Sequence, residues 1–384
     1  MVAAVRRGQS LRLVAAQFQV SVPTVQRWVS RAGEKRLDRV DFTDRPSRPK
    51  RVHNRTSRKL ESLILCLRKQ LRDESDLGEF GAVAIHRELI RRGINHPPSL
   101  RTIGYILERH GATDYRQRRR RLPPAKGWYL PDVAKGLADI DEFDFVEGLV
   151  TGDGKAVEVL NAVSLHGGLV ESWPKQSWNA QSALQAIVSH WRRFGLPDYA
   201  QFDNDNRFTG PHQYADTIGR VIRACLSLGV TPVFAPVSEH GFQNAIESYN
   251  GKWQAKVWAR SVYKSLAPLQ QQSAKHVVAH RQRCRARMDG APERRKFPQR
   301  WRYQEQEKFT GGRIIFIRRS SEKGVVEVLG HKYEVDPDWA SRLVRCEVDI
   351  KAKEIRFYAL RRRDPTSQPL LRRVKYQLPK RYID

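Results

Sequence analysis

Cysteine is scarce in this chain. Four residues out of 384, at positions 66, 225, 284 and 346, stand too far apart for a CxxC pair or a clustered Cys/His spacing. That excludes a cysteine-based zinc module or a disulfide scaffold, and the four read as free thiols of a cytoplasmic protein. No run approaches 18 apolar residues and no signal-peptide core follows Met1, so nothing points to a membrane or to export. No internal repeat recurs at a solenoid period. Acidic side chains are also few, 41 against 70 Lys and Arg, for a formal charge of +29. An excess of that size implies a polyanionic partner, most often nucleic acid.

What is present is unevenly distributed. Hydrophobic residues make up 40% of the chain, enough to build cores. Residues 131–250 hold 15 acidic and 8 basic side chains, a net of −7, which leaves +36 on the remainder. An acidic island between basic flanks suits a metal-dependent site carried by modules that grip DNA. A ribosomal protein has no evident use for carboxylates gathered in that way.

At the N-terminus, over 1–42, Leu11, Val14, Ala15 and Phe18 mark one face of a short helix. A turn at 19–21 follows, with Ser21 as N-cap of a second helix. Val25 and Trp28 point inward there, leaving Thr24, Gln26 and Arg27 outward, as in a helix-turn-helix that presents its second helix to the major groove. A basic linker at 43–54 precedes a second helical unit over 55–113. In that unit Ser99 caps a helix carrying Leu100, Ile103, Ile106 and Leu107, and Arg101 is its candidate DNA contact. The plan fits a second, winged or helix-turn-helix, DNA-binding domain. The linker over 114–129 includes Arg118, Arg119, Arg120 and Arg121, a run suited to a phosphate backbone or minor groove.

Residues 130–290 alternate strands and helices. Strands are read at 140–146, 156–164, 168–173, 199–203 and 230–235, with helices around Ala183–Trp191 and Ile218–Leu228. Three antiparallel strands followed by helix and parallel strand make a mixed α/β layer. A further helix is expected from about Phe242 to Val257. Phe242, Ile246, Tyr249 and Trp253 form its apolar stripe, while Gln243, Glu247, Asn250 and Gln254 lie on a polar face.

Four motifs stand in order along this block: Asp144-Phe145-Val146; Leu160-Asn161-Ala162-Val163; Gln201-Phe202-Asp203-Asn204 with Phe208; and Gln243-Asn244-Ala245-Ile246-Glu247-Ser248-Tyr249-Asn250. Their succession resembles the RNase H-like core of retroviral integrases and bacterial insertion-sequence transposases of the DDE superfamily. The resemblance covers roughly 130–290, and the flanks more loosely. It implies a catalytic and metal-binding triad of Asp144, Asp203 and Glu247 holding two Mg²⁺ or Mn²⁺ ions. Asp139 and Asp141 compete for the first position, with Asp141 the nearer rival. The chain departs from the pattern at Asp205, commonly glycine, and at Ser164, often aspartate.

Mg²⁺ takes oxygen ligands and keeps several waters, so a few carboxylates suffice when substrate phosphates complete the shell. Two such ions flank an in-line displacement at phosphorus. The resemblance further implies a transposase that binds the terminal inverted repeats of its element, cuts and joins double-stranded DNA, works as a homo-oligomer and resides in a bacterial cytoplasm at the nucleoid. Asn244, Lys252 and Lys256 are added as candidate DNA contacts.

Over 300–384, five short strands at 313–318, 325–329, 332–335, 344–350 and 354–360 suggest a small SH3-like β-barrel with basic outer positions. The fold expected is thus a multidomain α+β chain: helical helix-turn-helix domains, an RNase H-like catalytic core and a C-terminal barrel. A catalytically inactive or domesticated DNA-binding regulator would share the charge and the flanks, but would not require Asp203 and Glu247 in their motifs. A ribonuclease H or junction resolvase would share the core and seldom the N-terminal units. His280-x-x-Arg283 is the spacing a tyrosine recombinase uses, yet no nucleophilic tyrosine context follows it.

Overall fold

The computed structural model describes residues 1–44, 56–113, 127–211, 214–236, 239, 241–361, 364–365 and 367–379. Arg118, Arg119, Arg120 and Arg121 therefore lie outside the described residues. Two compact units are distinguished, Met1–Arg58 and Lys59–Asp384. No helix among the described residues is long and apolar enough to cross a membrane.

The first unit contains α1 (Val2–Arg6), α2 (Leu11–Gln17) and α3 (Val22–Ala32). Val14, Ala15 and Val25 are its buried centre. Between α2 and α3 the chain turns through Gln19, which sits at φ 52°. Phe18, counted above in the apolar face, is instead the C-cap of α2 and exposed. Gln26 and Arg27 are exposed on α3, as expected. Thr24 is half-buried, and its hydroxyl bonds that of the N-cap Ser21 at 2.9 Å.

The second unit opens with α4 (Arg58–Glu74), α5 (Ala82–Arg91) and α6 (Leu100–Arg109). Ile64, Leu67, Ile85, Leu89, Ile103, Ile106 and Leu107 form their shared core. Ser99 caps α6 as expected, accepting from the Thr102 amide at 3.2 Å. Among the described residues of 56–113 there is no strand, so no wing accompanies these helices there. Arg101 is exposed on α6, with its Nε donating to the Tyr105 hydroxyl at 2.9 Å.

The rest is built on one nine-stranded sheet. Its strands are β1 (Ile140–Val150), β2 (Ala156–Ser164), β3 (Val170–Lys175), β4 (Tyr199–Phe202), β5 (Thr231–Phe234), β6 (Arg313–Arg319), β9 (Leu343–Asp349), β10 (Glu354–Ala359) and β11 (Leu370–Lys375), in the order β11-β10-β9-β6-β5-β4-β1-β2-β3. β7 (Val325–Val328) and β8 (His331–Glu334) form a separate two-stranded sheet. β1, β2 and β3 pair antiparallel, whereas β4 and β5 run parallel to β1. This order matches the mixed layer read from the sequence.

Where a separate barrel was expected, the C-terminal strands instead continue the core sheet. β6 pairs parallel with β5 through Val233↔Ile315 and Phe234↔Phe316, and β9, β10 and β11 extend from it antiparallel. The physical reason is apolar: Phe316 stacks on Phe234 with centroids 5.1 Å apart. Phe316 and Phe357 thereby belong to the same core as Phe143 and Phe202.

Helices cover both faces of the sheet. In chain order they are α7 (Pro131–Ala134), α8 (Ala180–Phe194), α9 (Asn206–Thr209), α10 (Arg220–Ser227), α11 (Asn244–Lys256), α12 (Leu266–Arg283) and α13 (Arg285–Asp289). Strand alternation divides β1 between the faces. Phe143 joins the core of α8 and α10, while Val146 packs with Trp253 and Val257 on the α11 side. The α11 stripe is as read: Phe242, Ile246, Tyr249 and Trp253 are buried.

The helical segment is fastened to the core through the loop before α5. Lys256 Nζ donates to the Gly78 carbonyl at 2.7 Å and lies 5.2 Å from the centre of the Phe80 ring. Arg260 reaches the Ser75 and Asp73 carbonyls, and Arg283 pairs with Glu79. Lys256, offered above as a DNA contact, is engaged in this internal clamp.

Candidate active site

Asp144 and Asp203 are brought together by strand register. In the parallel pair β1/β4, Ile140 stands opposite Tyr199, Asp141 opposite Ala200 and Glu142 opposite Gln201. Asp144 lies two residues past Glu142 on β1, and Asp203 directly follows the end of β4, near enough for its charge to act on the Asp144 carboxyl. Asp144 lies on the face that α11 covers, and Glu247 occupies the first turn of that helix. The three candidate carboxylates are thus carried by a strand, the end of its neighbour and the exposed side of the first turn of the covering helix.

The Asp144 carboxylate is aimed by its surroundings. Its Oδ1 accepts from the Phe145 amide at 2.9 Å, and its Oδ2 from Asn250 Nδ2 at 2.7 Å. Asn250 is held in turn, its Oδ1 accepting from Asn161 Nδ2 at 2.8 Å. Asn161 faces Asp144 across the β1/β2 pair. Asn161 and Asn250 were quoted in the motifs without a role. Asn250 reaches the first aspartate directly and Asn161 acts through Asn250, and the i, i+3 spacing of Asn250 from Glu247 is the signal that marks Asn250.

Asp203 is half-buried, and its Oδ1 accepts from the Asp205 amide at 3.1 Å. Asp205, the departure from glycine, caps α9 and binds Arg207, whose Nε donates to its Oδ1 at 2.8 Å. Arg207 also pairs with Glu158 at 3.0 Å and with Glu147, and lies over the Phe145 ring at 3.7 Å. Asp205 therefore has a local role, as partner of a cation beside the site.

Burial dominates the electrostatics of both aspartates. Burial, and then the charge of Asp203, push the Asp144 carboxyl up to about 7. Burial also lifts Asp203 to about 6, against the Asp205 amide. Glu142, two residues before Asp144 and so on the same face, is pushed to about 8 by burial, with the Glu247 and Asp144 charges adding to it. Groups in this condition gain from a nearby cation. Glu142 was missed above, although the period-2 rule places it beside Asp144.

Asp141, the rival first aspartate, faces the other way. It is fully buried, accepts from Trp191 Nε1 at 3.0 Å and pairs with Arg294. Burial raises its carboxyl, but the Arg294 guanidinium and His190 together more than offset that and hold it at about 2. Asp139 shares the same arginine at 2.9 Å and accepts from Ser164 Oγ at 2.9 Å. Ser164, noted in the sequence as a departure from the motif pattern, is thus a hydrogen-bond donor to Asp139.

The candidate DNA contacts divide. Asn244 donates to the Gly241 carbonyl at 2.8 Å. Together with Lys252, Glu142, Ser248, Tyr249 and Arg287, it lines a cavity of about 660 Å³. Asn244 and Lys252 therefore line the same cavity as Glu142.

Among the described residues, no three His, Cys, Asp or Glu side chains form a ready-made metal cage. The donor chemistry nevertheless fits a hard divalent cation. Asp144, Asp203 and Glu247 offer oxygens alone, and burial raises both aspartates, so a cation would relieve them. Mg²⁺ is ordinarily held by one or two carboxylates with water and substrate phosphate completing the shell.

No family model matches the chain, and no curated protein matches it. Similar solved structures include the HTLV-2 integrase catalytic core in complex with magnesium, at 14% identity, covering 36% of this chain and 82% of that one, with a TM-score of 0.26. The catalytic core of BIV integrase is 17% identical over 36% of this chain and 81% of its own, TM-score 0.27. The simian T-cell lymphotropic virus intasome in complex with PP2A regulatory subunit B56 gamma is similar over 75% of this chain and 90% of that one, at 14% identity and TM-score 0.33. At these identities and TM-scores the likenesses are weak.

Proposed function

We propose that this chain is a DDE-type transposase that binds the terminal inverted repeats of its element and catalyses metal-dependent DNA cleavage and strand transfer. The carrying observation is Asp144 on β1 close to Asp203 at the end of the neighbouring parallel β4, beside the helix bearing Glu247, with both aspartates raised by burial. The motif resemblance and the acidic island inside a chain of +29 support it.

In this reading Asp144, Asp203 and Glu247 hold the two Mg²⁺ or Mn²⁺ ions, which supply Lewis-acid stabilisation of the attacking and leaving oxygens. The chain's own residues bind and orient. Asn250 and the Phe145 amide fix the two oxygens of Asp144 in direction. In cleavage a water oxygen bonds to phosphorus as the bond to the 3′ oxygen breaks, leaving a 3′-OH. In joining, that 3′ oxygen bonds to a target phosphorus and the target's own 3′ oxygen departs.

Thr24, Gln26 and Arg27 on α3 and Arg101 on α6 are assigned to DNA reading, and Arg118–Arg121 to phosphate contact. The basic C-terminal strands add affinity without sequence preference. A homo-oligomer is expected because two element ends must be held together, and a cytoplasmic, nucleoid-bound location follows from the substrate.

The direct test is cleavage of end DNA in Mg²⁺ by Asp144→Asn and Asp141→Asn variants. Asp144→Asn should bind the ends but not cut. Asp141→Asn should lose stability and keep chemistry in whatever fraction stays folded. If Asp144→Asn still joined DNA, the triad assignment would fail. With about eight phosphate contacts, log affinity should fall against log salt with a slope near −7; a flat dependence in a binding titration would contradict the role given to the basic flanks.

A further inference from the structure

Glu142 belongs to none of the roles assigned so far. Its carboxyl is almost completely buried between β1 and α11, and its Oε2 accepts from the Ile246 amide at 2.9 Å. The Ala245 amide adds a second bond to the same carboxyl. These amides belong to the first turn of α11, where N–H groups have no partner within the helix. The residue at the N-cap position, Gln243, makes no side-chain capping bond. The cap comes from the strand beneath instead.

The placement has a consequence for the site. Glu142 is two residues before Asp144 on β1, and Ile246 immediately precedes Glu247 on α11. One strand thus carries a proposed ligand and, next to it, the peg that fixes the start of the helix bearing another. The other tie between the same elements is Asn250 to Asp144, one turn further along. Apolar packing of Ile246, Tyr249 and Trp253 against β1 and β2 holds the helix on the sheet, and these polar ties fix its register there. With both, the height and rotation of Glu247 relative to Asp144 are set.

We propose that Glu142 is a positioning residue: by accepting the Ile246 and Ala245 amides it holds Glu247 in register with Asp144 and Asp203. The inference rests on the proposed metal-dependent function. What matters is an acceptor at the right reach. Aspartate, shorter by one C–C bond of about 1.5 Å, cannot span a 2.9 Å contact made by glutamate, whereas glutamine retains an acceptor oxygen in the same place.

The test uses the full chain and Mn²⁺ as probe, with affinity read by electron paramagnetic resonance titration beside end-DNA cleavage and thermal melting. Glu142→Gln should keep Mn²⁺ affinity and cleavage within about threefold of the parent. Glu142→Asp and Glu142→Leu should lose both by about 10–100-fold, the usual effect of removing a group that orients a ligand, with DNA binding unchanged. Should Glu142→Leu fail to fold, Glu142→Asp carries the comparison. Parent-like Mn²⁺ affinity in Glu142→Asp, or a loss in Glu142→Gln equal to that in Glu142→Leu, would overturn the inference. A parent protein that neither binds Mn²⁺ nor cuts DNA would overturn the functional reading itself, and the inference with it.

Discussion

Asp203→Asn should reduce DNA cleavage and joining by about 10³-fold or more, while raising the melting temperature of the metal-free protein at neutral pH. The two effects have one origin. Burial and the charge of Asp203 place the Asp144 carboxyl at about 7, and Asp203 itself is at about 6. An acid whose pKa is raised in the folded state retains its proton where the unfolded chain has lost it. Its contribution to stability is then fully present below the ordinary value near 4 and is lost as pH rises through 6 and 7.

Asparagine removes one of the two repelling charges, so Asp144 ionises at lower pH and at less cost. A gain on the order of 1 kcal/mol is expected at pH 8, or ~2–4 °C in a domain of this size, and it should vanish near pH 4. Melting curves at the two pH values, with and without Mg²⁺, check this. Mg²⁺ should stabilise the parent more than the variant, because it binds the folded state through the charge that was removed. A variant that melts below the parent at pH 8 would show that Asp203 is structurally compensated and poorly suited to hold a cation.

Much of this was legible in the sequence, for reasons that vary by element. The strands β1 to β5 and the helices α8, α10 and α11 follow from periodicity, because each has one clear apolar face. The pairing of Asp144 with Asp203 needed register, which sequence supplies only through motif resemblance. Asp141 and Asp144 could not be separated by proximity in sequence. Strand alternation does separate them, since residues three apart on a strand face opposite ways, and the Arg294 partner that occupies Asp141 lies 153 positions away.

Lys256 illustrates a different limit. Its place at the end of a polar helix suggests solvent or DNA, but the loop that it clamps, around Gly78, is 178 residues distant. The five C-terminal strands were read individually and β11 was missed, its Leu370–Lys375 segment being too basic to stand out as a strand. Their attachment was misjudged because the apolar face of β6 fits a closed barrel or the open edge of β5 equally well. The Phe234–Phe316 stack decides for the edge.

Arg294→Met should cost about 3–5 kcal/mol, the penalty for removing one partner of a buried charge pair. That is a large share of the ~5–15 kcal/mol by which proteins of ordinary stability hold together. Arg294 donates to Asp139 at 2.9 Å and to Asp141, and both carboxylates are buried. In the parent, burial and the Asp141 charge already hold the Asp139 carboxyl up; without the guanidinium, burial and mutual repulsion would raise Asp141 as well, and the folded state would hold protons that the unfolded chain releases.

The pH dependence should therefore change sign. In the parent, Asp141 is held at about 2; the stability it contributes is present above the ordinary carboxylate value and is lost as pH falls toward 2. In Arg294→Met, stability is instead lost as pH rises above about 4, so the gap between variant and parent narrows in acid. Urea titrations at pH 4.5 and 7.5 give the comparison. Asp139→Asn and Asp141→Asn combined with Arg294→Met should restore most of the loss at pH 7.5, since neutral amides need no counter-cation. An equal deficit at both pH values would assign the cost to lost packing of the Arg294 stem against Gly195, and not to unpaired charge beneath the strand that carries Asp144.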